Sequence, residues 1–179
     1  MAQVAIRTYE GYHGTSLSSA QLMANQKSFF FSIGDSEWLG DGIYFFENDF
    51  DEARDWAVDH KKYPDSVILY CTINSKKVFD LTIKANQFKL ARLIQTLSVR
   101  YRNEKRKPII LDGKAINMLC SELGYDVVRA IFNFPSGLIG CIQGYTRIER
   151  SQVQLCVRSN DCLDWTSFKG WDINGKQIF

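Results

Sequence analysis

The sequence predicts a single domain of the α+β class. Its 179 residues can bury one substantial core, and its 45% of apolar and 23% of charged residues are ordinary for a soluble globular protein. Patterns typical of strands and of helices follow one another without regular alternation, which disfavours a doubly wound parallel sheet. No internal repeat, low-complexity tract or linker divides the chain, so we expect one domain over residues 1–179.

The first half of the chain predicts strands and helices on both sides of a loop. Gly42 introduces a run of β-branched and aromatic residues that favours a strand, and the spacing of apolar residues after Asn48 and Asp49 favours a helix. Ser18 and Ser19 are candidate caps for an earlier helix. The predicted elements are a strand over 4–9, a helix over 20–25, a loop over 32–40, a strand over 42–46, a helix from 49 to about 61, and strands over 67–73 and 77–81.

The second half contains the clearest helical period. Between residues 85 and 101, five apolar side chains form one stripe and polar side chains lie opposite, as in an amphipathic helix. The stripe consists of Leu90, Leu93, Ile94, Leu97 and Tyr101. Asp112 is a candidate cap for a helix that ends before Gly124. Strands are expected over 125–132 and 152–158, with a turn at Pro135-Ser136-Gly137, and the residues from Asp164 onward give no clear prediction.

Basic residues are concentrated between residues 84 and 107. That segment contains eight lysines and arginines and one acidic residue, Glu104, whereas the whole chain has a net charge of +2. The eight are Lys84, Lys89, Arg92, Arg100, Arg102, Lys105, Arg106 and Lys107. This pattern favours an anionic partner, such as a nucleic-acid backbone or an acidic protein, although a solvated helix face followed by a charged loop is its commoner origin.

The cysteines and the N-terminus indicate a cytoplasmic protein. The five cysteines are scattered without Cys-x-x-Cys spacing, which argues against a zinc site and against a disulfide framework. They stand among apolar residues, so we expect reduced and mostly buried side chains. Neither a secretory signal nor an apolar run of about 20 residues is visible, so we expect no membrane association.

Two short motifs carry the functional information. The first is Tyr12-His13-Gly14-Thr15, which holds one of only two histidines in the chain, and the second is Leu39-Gly40-Asp41-Gly42-Ile43-Tyr44-Phe45-Phe46. Each motif alone is weak, but their order and separation resemble the first two sequence blocks of the ADP-ribosyltransferase family, which includes diphtheria-type toxins and poly(ADP-ribose) polymerases. The resemblance covers residues 10–60. It implies a split β-sandwich with flanking helices and NAD as co-substrate in a cleft between two small sheets.

The resemblance also implies roles for individual residues. His13 would hydrogen-bond a ribose hydroxyl, and the backbone of Gly14 would pair with the nicotinamide carboxamide. Thr15 belongs to the same NAD-binding block. Tyr44 would stack on the nicotinamide ring, and Trp56, one position away from the family register, is the candidate for a second aromatic cover. The other histidine, His60, is expected at a surface or a helix end.

At the third sequence block, this chain departs from the family's usual residue. The family places a glutamate on a late strand, where it bonds the ribose 2′-hydroxyl and stabilises the developing cation. Strand alternation makes Gln154 the best match to that position, and Glu149 is the alternative if the strand begins earlier. A glutamine can orient a hydroxyl but carries no charge, which implies mono-ADP-ribosylation or a loss of activity.

The resulting functional expectation is a cytoplasmic mono-ADP-ribosyltransferase acting on a protein, RNA or DNA. Small transferases of this kind resemble bacterial toxins of toxin–antitoxin or phage-defence systems, which implies a neutralising antitoxin protein as a partner. Two alternatives remain open. One is a catalytically weak module that binds NAD or a nucleotide and acts through a partner. The other is an RNA 2′-phosphotransferase, which shares the His-Gly-Thr block but needs an arginine set that the motifs do not contain.

Overall fold

The computed structural model describes residues 5–34, 37–104, 111–134 and 150–179. Those ranges contain seven strands, four α-helices, one π-turn and one 3₁₀ turn. In chain order they are β1 (Arg7–Ser16), α1 (Leu17–Gln26), β2 (Ile43–Glu47), α2 (Phe50–Asp55), the π-turn (Trp56–His60), β3 (Ser66–Ser75), β4 (Val78–Asp80), α3 (Lys84–Asn103), α4 (Asp112–Leu123), β5 (Val127–Phe134), β6 (Arg150–Val157), the 3₁₀ turn (Asn160–Cys162) and β7 (Leu163–Asp172).

All seven strands belong to one sheet in the order β4-β5-β6-β2-β1-β3-β7. The strand pairs are antiparallel except β4 with β5, which are parallel. This mixed arrangement agrees with the predicted α+β class. The strands that the sequence led us to expect in two small sheets are therefore joined by hydrogen bonds into one.

The join between the two halves of the sheet is narrow. β1 pairs with β3 over ten residues, from Arg7 to Ser16, but it pairs with β2 only at Gly11 and Tyr12, opposite Glu47 and Phe46. Beyond Tyr12 the two strands have no further paired residues. The sheet consequently opens between β1 and β2 at the position of the first sequence motif.

Helices cover both faces of the sheet. Alternate residues of β5 and β6 face opposite sides, as a pleated strand requires. On one side Val127 and Leu155 pack with α1 and the β7 region, and on the other Val128 and Cys156 pack with α4. A smaller cluster joins Ala53 of α2 to the β1–β3 half. The apolar stripe predicted for α3 packs against α4, with Leu97, Leu111 and Ala115 buried between them.

Several predicted boundaries were wrong, and tertiary pairing explains them. The first strand was expected over 4–9 but continues to Ser16, because its ladder with β3 continues through the glycines. Ser16, not Ser18 or Ser19, caps α1, and its hydroxyl accepts the backbone N–H of Ser19. Asp112 does not cap α4: Leu111 occupies that position without a side-chain hydrogen bond.

Other predictions are confirmed or extended. Gly124 ends α4 in the left-handed conformation, with φ of 67°. The helix expected from 49 to 61 is divided into α2 and the π-turn, and β7 forms where the sequence gave no clear prediction. The turn at Pro135-Ser136-Gly137 lies outside the described residues.

The cysteines that the structure describes are buried and form no disulfide. They are Cys71, Cys120, Cys156 and Cys162, while Cys141 lies outside the described ranges. Burial raises the pKa of all four thiols, that of Cys156 to about 12. They are therefore protonated at neutral pH and are poor nucleophiles. Over the described ranges, no helix has the length and apolarity that crossing a bilayer would require.

Candidate active site

A cleft of about 440 Å³ opens where β1 and β2 separate. Its walls come from β1, α1, β2, β6, the π-turn with the residues after it, and the loop between α1 and β2. Three of the residues singled out in the sequence, His13, Tyr44 and Gln154, line it together. A concave site of this size with a few converging polar groups is typical of ligand-binding sites.

His13 bridges the gap between the separated strands. Its ring lies between Phe29 and Phe45, with centroids 5.5 and 5.7 Å away, and its Nδ1 lies 2.8 Å from the carbonyl oxygen of Tyr44. Because a carbonyl oxygen can only accept, Nδ1 carries the proton and Nε2 is left as an acceptor. Burial lowers the pKa of His13 and outweighs the opposite effect of the hydrogen bond, so the ring is neutral at pH 7.

The burial of His13 predicts a pH-dependent stability that His13→Gln should lack. The unfolded chain takes up a proton as the pH falls through about 6.5, whereas folded His13 resists it, so the stabilisation by neutral His13 is complete above that pH. It is lost toward lower pH, by at most about 1.4 kcal/mol per pH unit, until the lowered folded pKa is passed. Urea unfolding at pH 7, 6 and 5 should show the wild-type advantage over His13→Gln shrinking as the pH falls. A constant difference would contradict a buried neutral imidazole.

Gly14 directs its backbone polar groups toward the opening. The carbonyl of Glu10 faces β2, where it accepts the N–H of Asn48 at 3.0 Å. Along an antiparallel strand, the backbone N–H and carbonyl of every second residue point to the same side. The N–H and the carbonyl of Gly14 therefore face β2, as the carbonyl of Glu10 does. Pairing with β2 ends at Tyr12, and within the described residues no strand partner lies opposite Gly14 there. A planar amide could therefore pair with this edge.

The absence of a side chain at Gly14 has a packing reason as well. A β-carbon at this position would lie far inside van der Waals contact with the carbonyl oxygen of Ala53, and 3.1 Å from the β-carbon of Ala57. Gly14 therefore allows α2 and the π-turn to approach β1 closely. The next residue, Thr15, is buried and also lines the cleft.

Tyr44 presents its ring, and not its hydroxyl, to the cleft. The hydroxyl donates to the carbonyl of Gly40 at 2.8 Å and accepts the N–H of Leu39 at 3.0 Å. Burial raises the pKa of Tyr44, so the phenol stays protonated. Because both hydrogen bonds engage the loop, Tyr44 can offer a ligand only its aromatic face, and it holds the loop in place.

Gln154 closes the far side of the cleft. It stands on β6 opposite Phe46 of β2, and only 3% of it is exposed. Its Oε1 accepts the indole N–H of Trp38 at 3.0 Å. The structure thus places Gln154 in the same cleft as His13 and Tyr44, whereas the alternative, Glu149, lies outside the described residues.

Trp56 also reaches the cleft, from the first residue of the π-turn. Its ring stacks at 32° on that of His60, with centroids 5.0 Å apart, and His60 is exposed as expected. The π-turn is closed by the Lys61 N–H bonding the Trp56 carbonyl, and it aligns residues five apart. The ammonium of Lys61 lies 5.3 Å from the Trp56 ring and brings a positive charge to the cleft.

Comparison with known proteins identifies a relative. A protein of Methanocaldococcus jannaschii, named Uncharacterized protein MJ0359, is 31% identical over 157 residues, which cover 79% of this chain and 70% of that protein. The chain belongs to the family of this archaeal protein. No family model matches the chain, and no solved structure matches it. The relative's name states no activity, so a function for the family has to be argued from the cleft.

Among the cleft residues that sequence reasoning missed are Trp38 and Lys61. Trp38 stands in a loop whose conformation depends on distant partners, among them Asn117 of α4, whose Oδ1 accepts the N–H of Asp41 at 2.8 Å. Lys61 follows a segment that the sequence predicts as a helix, and the sequence does not reveal that this segment ends in a π-turn. The aromatic identity of Trp38 was visible in the motif region, but nothing local indicated that it reaches β6.

The described part of the basic segment does not line the cleft, and the described residues contain no candidate metal site. α3 carries five of the eight basic residues and packs against α4, and none of these five lines the cleft. The remaining three, Lys105, Arg106 and Lys107, lie outside the described residues. Across the described ranges, no group of three or more His, Cys, Asp or Glu side chains is placed to hold a metal ion.

Proposed function

We propose that this protein is a mono-ADP-ribosyltransferase that binds NAD in the cleft between β1 and β2. The observation that carries this proposal is the convergence of His13, Tyr44 and Gln154 at the point where the sheet opens. The narrow join supports a split β-sandwich whose two halves are β4-β5-β6-β2 and β1-β3-β7. The proposed transfer takes place in the cytoplasm, onto a protein or nucleic-acid acceptor.

The cleft offers complementary groups for the nicotinamide riboside and the diphosphate of NAD. The unprotonated Nε2 of His13 accepts a hydrogen bond from a ribose hydroxyl, and the free backbone edge of Gly14 pairs with the carboxamide. The aromatic faces of Tyr44 and Trp56 hold the flat nicotinamide ring. Lys61 is the one cation among the described cleft residues, and its charge suits the diphosphate.

The chemistry requires little from charged side chains and much from positioning. The bond between ribose C1′ and the nicotinamide nitrogen breaks with its electron pair leaving on nicotinamide, and a nucleophile of the acceptor bonds C1′ and loses its proton. His13 and Gly14 hold the two sides of the breaking bond. Gln154 can orient the ribose but supplies no negative charge to the cation that develops, so a slow, single transfer is expected.

In one alternative, the protein binds NAD but does not catalyse the transfer. Gln154 is neutral and already hydrogen-bonded to Trp38, which also suits a module that binds NAD and acts through a partner. An RNA 2′-phosphotransferase is less well supported, because none of the described cleft residues is an arginine. A toxin controlled by a neutralising protein remains compatible with the enzyme.

Labelled NAD separates these functions. The protein is incubated with NAD labelled in its adenylate half and with cell extract, and free nicotinamide and label in protein, RNA and DNA are followed. Wild-type protein should release nicotinamide and label one class of acceptor. His13→Ala and Tyr44→Ala should lower the rate at least about 100-fold, because each removes a group that holds the nicotinamide riboside.

The matched control is Thr8→Ala, an exposed position on the same strand as His13. It should transfer at the wild-type rate, and melting curves should show that the variants are folded. NAD binding without nicotinamide release would contradict the transferase and favour the binding module. Absence of NAD binding would contradict both.

A further inference from the structure

Trp38 and Gln154 form a contact that neither sequence motif contains. The indole N–H of Trp38 donates to Oε1 of Gln154 at 3.0 Å, and the indole ring packs on Phe132 of β5 at 5.3 Å between centroids. The contact joins the loop before β2 to the strand at the far side of the cleft. It involves Gln154, which stands where the ADP-ribosyltransferase pattern has a glutamate.

The loop holds Trp38 in a fixed position. The hydroxyl of Tyr44 bonds the backbone at Leu39 and Gly40, one and two residues beyond Trp38. Behind the loop, Gly113 of α4 packs so closely on the carbonyl of Glu37 that a β-carbon there would overlap it. The loop therefore fixes the position of the indole, and pairing of β6 with β2 fixes the position of Gln154.

The chemistry of indole decides which end of the amide it meets. Indole N–H is only a donor, so it bonds the amide oxygen and disfavours the flipped amide, in which two donors would face each other. The Gln154 amide nitrogen makes no hydrogen bond to any described residue. No side-chain nitrogen or oxygen in the described ranges is both fully buried and unpaired, so this NH₂ group opens on the cleft.

We propose that Trp38 is a positioning residue that fixes the Gln154 amide with its NH₂ group toward the cleft, so that this position takes a hydrogen-bond acceptor of the ligand. The proposal rests on the proposed function, because it assigns the acceptor as the 2′-oxygen of the nicotinamide riboside. A carboxylate at the same place would require a donor from the ligand. The site is therefore specific for an oxygen that accepts.

The contact can be tested without any ligand. In ¹⁵N-labelled protein, Trp38→Phe identifies the Trp38 indole signal among the four tryptophans of the chain. Its N–H should exchange with deuterium at least about tenfold faster in Gln154→Met, which removes the acceptor, than in wild type. Gln154→Glu retains an acceptor and should keep the slow exchange. Equal exchange in wild type and Gln154→Met would overturn the proposal.

The direction of the amide is tested with an NAD analogue that carries fluorine in place of the 2′-hydroxyl of the nicotinamide riboside. Fluorine accepts weakly and cannot donate. The ratio of the analogue Kd to the NAD Kd should be within about threefold for wild type and at least about tenfold for Gln154→Glu. Trp38→Phe keeps a ring on Phe132 but frees the amide, so its ratio should exceed the wild-type ratio by about threefold or more.

The outcomes distinguish the two proposals. If NAD binds and the ratio is the same in wild type, Gln154→Glu and Trp38→Phe, the positioning role is wrong while the NAD site stands. If NAD does not bind to wild-type protein, the proposed function is wrong, and with it the assignment of the acceptor to NAD. The hydrogen-exchange result still decides, in that case, whether Trp38 holds the amide.

Discussion

Gly14→Ala is expected to lower the free energy of unfolding by about 3 kcal/mol or more, a loss typical of forced overlap in a packed interior. The new methyl group would overlap the backbone carbonyl of Ala53, which cannot rotate away as a side chain would. β1 cannot retreat, because its ladder with β3 extends over ten residue pairs. α2 is held by the Asp49 cap, whose carboxylate accepts the Glu52 N–H at 3.0 Å. Urea unfolding measures the loss.

Gly175→Ala is the control for the effect of removing a glycine. Gly175 has φ of +79° with open space around the added β-carbon, so the change introduces backbone strain without overlap and should cost about 1 kcal/mol. If Gly14→Ala cost no more than Gly175→Ala, the close packing of α2 on β1 would be contradicted. Gly14→Ala should also weaken NAD binding, because the free backbone edge of residue 14 would move.

Arg129→Met is expected to cost about 3–5 kcal/mol, since it leaves two largely buried carboxylates without their cation. Arg129 of β5 lies between Glu47 of β2 and Asp80 of β4, with Nε 2.6 Å from a Glu47 oxygen and Nη1 3.5 Å from Asp80. The exposed fractions of these side chains are 20%, 14% and 11%. The cluster holds together the half of the sheet that carries Tyr44 and Gln154. Thermal and urea unfolding measure the cost.

The exposed pair of Arg100 and Glu104 provides the comparison. Their side chains are 75% and 36% exposed, and Arg100→Met should change stability by less than about 1 kcal/mol. Adding Glu47→Gln to Arg129→Met should recover part of the loss, because it removes one of the stranded charges. A cost for Arg129→Met no larger than that for Arg100→Met would show that the cluster is not a buried network.

The elements predicted well are those whose signals are local. β2 follows from its β-branched and aromatic run, and the stripe of α3 follows from helical spacing, since both patterns survive any packing. Gly124 ends α4 because few other residues adopt a positive φ easily. The extension of β1 to Ser16 and the existence of β7 depend on β3, a partner distant in sequence, and so they could not be read locally.

The candidate site follows the same division. His13, Tyr44 and Gln154 were singled out by motif and strand alternation, and they do line one cleft. Sequence reasoning missed that the packing of α2 on β1 also requires the glycine at position 14. The contact of Trp38 with Gln154 depends on a loop fixed by groups from α4 and β2, which no local pattern encodes.

The most direct test of the NAD site is the ¹⁵N spectrum of the histidine rings during an NAD titration. The chain has two histidines, so His60 serves as the internal reference for His13. Free protein should show His13 as the neutral tautomer with its proton on Nδ1, bonded to the Tyr44 carbonyl. Adding NAD should shift the Nε2 resonance of His13 in the direction of hydrogen-bond acceptance, and the position should saturate with NAD concentration. A proton on Nε2 in the free protein, or a His13 signal that NAD leaves unchanged, would contradict the site.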